Sequence, residues 1–108
     1  MKTVLFPIFN GRISSRLDCT DTFQVVKIED NAIQSSELVK ILTNNEIEKL
    51  KAIISTKPDS VVCNGLTEYY LREFKKNKIK VIPWVYGKFK DVINDFLAGN
   101  LNEKVGVK

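Results

Sequence analysis

The chain has 108 residues, 44% of them apolar, with 17 Lys and Arg against 13 Asp and Glu and no histidine. That length allows one domain and one core, enough to bury roughly two-thirds of the unfolded surface, and leaves no room for a linker and a second domain. Without histidine, a histidine-based triad and a Cys/His zinc site are both excluded.

The first element is the almost wholly apolar run Val4-Leu5-Phe6-Pro7-Ile8-Phe9, which predicts a buried strand over residues 2–9. Asn10 to Cys19 follows, with two arginines, two serines, an aspartate and a cysteine. It reads as a loop, too long for a tight hairpin and too polar for a core. Small domains keep such loops for binding. Phe23–Ile28 predicts a second strand, and its apolar phase changes at Val25-Val26, as at a bulge or in a strand covered on both faces. Glu29-Asp30-Asn31 is a turn, and Ala32–Val39 is a polar strand suited to a sheet edge.

Helical spacing then takes over. Thr43 with Glu46 forms a capping box, and Ile47, Leu50, Ile53 and Ile54 form one stripe. Ser60–Cys63 is a short buried strand, ended by a turn at Asn64-Gly65. Leu66, Tyr70, Leu71 and Phe74 share a face of a second helix, Ile79–Ile82 is a fifth strand, and Pro83–Lys88 is a loop. Phe89, Val92, Ile93, Phe96 and Leu97 mark a last helix that Gly99-Asn100 stops. Residues 1–100 thus form a single domain, and 101–108 read as a flexible tail.

The order βββαβαβα predicts an α/β fold. The second and third strands close as an antiparallel meander. The fourth and fifth arrive through helices and so run parallel to a neighbour by right-handed crossover. The simplest result is a five-stranded mixed sheet of order 3-2-1-4-5 flanked by helices, the ribonuclease-H-like architecture. Its carboxyl edge gathers Phe9-Asn10-Gly11, Cys63-Asn64-Gly65 and Pro83-Trp84, where open α/β sheets place their binding crevices.

That edge defines the candidate site. Cys19 and Cys63 supply thiolates for a metal cluster, while Arg12 and Arg16 offer charge-assisted hydrogen bonds to an anion. Backbone N–H groups at Asn64 and Gly65 add to them. Arg16 and Asp18 have a plainer reading as an internal ion pair that stiffens the loop. Each cysteine alone reads as a small buried thiol. Gly11 and Gly65 read as turn residues needing special backbone angles, and Trp84 and Tyr86 as packing at the sheet edge rather than a ligand lid. A two-metal nuclease needs a carboxylate on the first strand, which has none. Cys19 as a nucleophile lacks an imidazole base. The basic residues Arg72, Lys75 and Lys76 fall away from Leu71 and Phe74, which makes them a solvated helix face rather than a nucleic-acid patch. No apolar run approaches the roughly 20 residues of a membrane span. No leader pattern opens the chain and no C-x-x-C occurs, so the expectation is a cytoplasmic protein.

The opening from Val4 to Cys19, with Asn10-Gly11-Arg12-Ile13-Ser14-Ser15-Arg16-Leu17-Asp18, resembles the dinitrogenase iron–molybdenum cofactor biosynthesis family, which includes NifX and the C-terminal domain of NifB. Val61–Leu66 resembles that family's later strand and glycine turn, Lys78–Ile82 the strand after it, and Asp91–Leu97 with Gly99 its closing helix. Leu17 stands where the family has Phe. The resemblance implies a ribonuclease-H-like fold and a non-enzymatic carrier of iron–molybdenum cofactor or of iron–sulfur cluster precursors. Its partners would be the cluster and the proteins that donate and accept it, and its state a monomer or weak homodimer. The cofactor-binding set is then Asn10, Gly11, Arg12, Ser14, Arg16, Asp18, Asn64 and Gly65, with Cys19 and Cys63 on the metal. The alternative is a small interaction or regulatory module that keeps the fold without a cluster.

Overall fold

The structure is a computed structural model that describes residues 1–101. The expected tail lies, from residue 102 onward, outside the described residues. The elements are β1 (Lys2–Phe9), β2 (Arg12–Ile13), a single 3-10 turn (Leu17–Cys19), β3 (Thr22–Glu29), β4 (Ala32–Lys40), α1 (Glu46–Ser55), β5 (Ser60–Val62), α2 (Glu68–Lys76), β6 (Lys80–Ile82) and α3 (Phe89–Leu97). They build a mixed sheet flanked by helices, with the order β4-β3-β1-β5-β6 and β2 paired to β1 beside that path. β3 runs antiparallel to β1 and β4, whereas β5 runs parallel to β1 and β6.

The sheet has six strands rather than the expected five. The extra one is β2, inside the segment read as a loop. Asn10 and Gly11 have φ values of 53° and 75°, the positive pair that a two-residue type I′ hairpin requires. Phe9 then pairs with Arg12, and Ile8 with Ile13. The same device joins β3 to β4 at Asp30-Asn31. Ile8 also pairs with Thr22 of β3, so β2 lies along the other edge of β1. There it continues past β5, which pairs only with Val4 and Leu5.

Alternation along the central strands divides the core into two layers. Leu5, Val25, Val61 and Val81 pack with Leu50 and Ile53 of α1 and Tyr70 and Phe74 of α2. Val4, Phe6, Val26, Val62 and Ile82 pack with Val92 and Ile93 of α3. Val25 and Val26 are both buried, one in each layer, so β3 is covered on both faces, and the register shift falls later, at Lys27/Ile28. Phe6 holds α3 through edge-on contacts with Phe89 and Phe96, at centroid distances of 5.1 and 6.4 Å. Burying a side chain of that size contributes about 2–3 kcal/mol. β4 is exposed along almost its whole length, as an edge strand is.

The cap of α1 lies two residues later than Thr43. Asn45 Oδ1 accepts from Glu48 N at 3.0 Å, while Thr43 Oγ1 accepts from Asn45 N and donates to Glu48 Oε1. The helix is also turned from the expected stripe: Ile47 is exposed and Lys49 is buried in its place. Among the described residues no helix is long and apolar enough to cross a membrane.

Candidate functional site

The carboxyl ends of β1, β5 and β6 meet at one edge, and backbone hydrogen bonds lock their loops together. Leu17 N donates to Gly65 O at 2.8 Å, and Gly65 N donates to Ser15 O at 3.0 Å. Trp84 N donates to Asn64 O and Val85 N to Cys63 O. Ile13 N reaches Gly87 O at 2.9 Å, and Phe89 N reaches Gly11 O at 3.0 Å. Leu17, fully buried, anchors the 3-10 turn in the core layer that also holds Cys63 and Tyr70. The segment Asn10–Cys19 is therefore a packed wall of the edge rather than an open loop.

Within that wall the predicted residues separate by role. Asn10 and Gly11 shape the hairpin turn, and Arg12 is exposed, facing Lys88 across a β-bridge. Ser14 is buried, and its Oγ donates to Arg16 O at 2.9 Å. Arg16 and Asp18 form a two-point pair, Nε to Oδ1 at 3.0 Å and Nη2 to Oδ2 at 2.9 Å. That bond and charge hold the Asp18 carboxyl below the usual carboxylate range and raise the Arg16 guanidinium. Gly65 serves a close approach rather than a special backbone angle: a Cβ there would lie 2.9 Å from Ser15 O. Its N–H is engaged by Ser15 and is not offered to an anion.

The two cysteines do not share an environment. Cys19 is exposed on the 3-10 turn, whereas Cys63 is fully buried in the layer under α1 and α2. Burial pushes the Cys63 thiol up to about 12, so it stays protonated and does not fit the part of a thiolate ligand in this conformation. Among the described residues no group of three or more Cys, Asp or Glu is placed to hold a metal ion. Asp59, the acidic residue next to β5, sits at the opposite edge, where its Oδ2 accepts from Thr3 N at 2.8 Å.

Several groups at this edge stand differently from the sequence reading. Trp84 and Tyr86 are 61% and 78% exposed, so they are not packing residues. Trp84 also holds a positive φ of 65°. Two cavities open beside the loop. One, of about 760 Å³, has Arg12, Lys88 and Lys90 over Phe9, Leu38 and Phe89. The other, of about 900 Å³, includes Cys19, Asp21, Glu46, Lys49 and Tyr70. Lys49 is the least expected member: the structure buries it on the face of α1 that carries Leu50 and Ile53.

No family model matches the sequence, and no curated protein does. Solved structures do share the fold. A Methanocaldococcus jannaschii protein assigned as a dinitrogenase superposes with a TM-score of 0.78 and 25% identity, covering 95% of this chain and 94% of that one. A Thermotoga protein assigned as NifB, of the DUF35 family, gives 0.77 and 16%, covering 100% and 97%. The apo form of the orange protein from Desulfovibrio gigas gives 0.77 and 17%, covering 98% and 95%. The chain thus has the fold of these dinitrogenase- and NifB-assigned proteins over nearly its full length.

Proposed function

We propose that the protein is a non-enzymatic carrier of an anionic metal–sulfur cluster, iron–molybdenum cofactor or an iron–sulfur precursor of it, in the NifX and NifB C-terminal-domain family with its ribonuclease-H-like fold. The observation that carries this reading is the end-to-end likeness to the dinitrogenase- and NifB-assigned structures, taken with the motif from Asn10 to Asp18. The cargo is a substrate that enters and leaves. Arg12, Lys88 and Lys90 form an exposed cationic rim over apolar side chains, and Cys19 is the accessible thiol. One thiolate and several cations suit release better than the four cysteines of a resident cluster. A strand β1 without carboxylates, and an Asp59 committed to the far edge, support a binding role over metal-dependent hydrolysis. Two unbridged cysteines fit a reducing, cytoplasmic setting.

The test is anaerobic reconstitution with iron, sulfide and molybdate, followed by metal analysis. The expected result is bound metal that falls as salt rises and falls again in an Arg12→Ala, Lys88→Ala variant. Metal no higher than in a control protein would overturn the carrier. A second reading would then lead: an interaction module using the exposed Phe9, Leu42, Trp84 and Tyr86.

A further inference from the structure

We propose that the cavity between the 3-10 turn and α1 binds a small zwitterion of the amino-acid class, its carboxylate held by Lys49 Nζ and the Tyr70 hydroxyl and its ammonium by Glu46 and Asp21. All four residues line that one cavity of about 900 Å³.

Two buried polar groups in it lack what burial normally demands. Tyr70 is fully buried, and its hydroxyl has no hydrogen-bond partner. Buried hydroxyls are nearly always satisfied, so an orphan lining a cavity points to something that enters the cavity. Lys49 is only 7% exposed. Its Nζ donates to Thr20 O at 2.8 Å and to Asp18 O at 3.2 Å. An ammonium has three donors, so one remains. Among the described residues no carboxylate lies within ion-pair distance of it. Asp18, whose side chain feels the Lys49 charge, has both oxygens committed to Arg16. A buried ammonium resting on neutral carbonyls, in a cavity that an unpartnered phenol also lines, calls for a negatively charged oxygen group.

The rim decides against a free oxyanion. Glu46 and Asp21 face the same space, and the charges of Glu46 and Asp18 act on the Tyr70 hydroxyl. Phosphate or acetate would meet that negative potential unrelieved. A simple cation would satisfy the rim and leave Lys49 and Tyr70 unserved. A ligand with both poles uses all four groups. The cargo reading shares Cys19 with this cavity but uses none of these four groups, and the test runs on metal-free protein, so the two proposals stand or fall separately.

The experiment titrates isotope-labelled, metal-free protein with a panel of α-amino acids, and with acetate and methylammonium as the two half-molecules. At least one amino acid should give saturable amide shifts in Cys19–Asp21 and Asn45–Lys49, with each half-molecule binding at least about tenfold more weakly. Tyr70→Phe, which removes a hydroxyl that has no hydrogen-bond partner in the protein, should keep the fold and weaken binding about tenfold. Glu46→Gln, on the exposed first turn of α1, should weaken it as well. The proposal is overturned if no amino acid shifts these amides, if either half-molecule binds as tightly, or if Tyr70→Phe binds like the parent.

Discussion

Replacing Gly65 with alanine tests how the candidate edge is held. The new Cβ would sit 2.9 Å from Ser15 O, against backbone rather than against the end of a flexible side chain. The Ser14–Leu17 segment must then retreat. Its retreat weakens two backbone bonds, Gly65 N to Ser15 O and Leu17 N to Gly65 O, each worth about 1 kcal/mol. It also lifts Leu17 partly from full burial, which is worth about 1.5–3 kcal/mol when complete. The sum is a loss of about 2–4 kcal/mol, or about 10–25 °C in Tm for a domain of this size. Gly11→Ala is the control. Its φ of 75° strains any side chain, but nothing lies within 4 Å of the added Cβ, so it should cost only about 1 kcal/mol. Chemical denaturation of both variants checks the ranking. A Gly65→Ala loss no larger than that of Gly11→Ala would refute the close-approach argument.

The cysteines should separate under a thiol reagent at neutral pH: Cys19 reacts in the native protein, and Cys63 reacts only after unfolding. Two fast thiols in the native protein would place Cys63 outside the core. The raised Cys63 value also has a sign. Its contribution to stability is complete below the unfolded thiol value near 9 and is lost as pH rises from there towards about 12. Asp18 acts in the other direction: its folded value is depressed by Arg16, so its contribution is complete above the ordinary carboxylate value and is lost as pH falls from there through the lower folded value. Asp18→Asn should therefore flatten the acid limb of the stability–pH curve, and an unchanged limb would show the pair to be idle.

What could be read from the chain was what extends over several residues. The unbroken apolar run Val4–Phe9 and the 3/4 spacing of Phe89–Leu97 mark β1 and α3, and the change of phase at Val25-Val26 carries the two-faced burial of β3. β2 has two residues and no period. Its one local signal, Asn10-Gly11, was outweighed by the arginines and serines that follow. Lys49 was hidden for a different reason. Its partners are the carbonyls of Asp18 and Thr20, 31 and 29 residues away, and no local pattern announces such a contact. The burial of Cys63, by contrast, is legible in the sequence, as the end of the short buried strand Ser60–Cys63. Val61 and Val62 face opposite layers, so the next residue must turn back to the layer of Val61.

That parity redraws the candidate site. Ser14, Leu17, Cys63 and Gly65 point inward or bond to neighbouring backbone, and they form its frame. Arg12, Cys19, Trp84, Tyr86 and Lys88 stand on the surface and form its rim. A cargo of the proposed kind, arriving from solvent, would meet only the rim. Its hold must come from charge, one thiol and exposed aromatic area, none of which the fold needs in order to stand. Altering the frame should therefore change stability and binding together, whereas altering the rim should change binding alone. A rim substitution that unfolds the domain would mean that the surface groups carry the edge, and the division between frame and rim would fail.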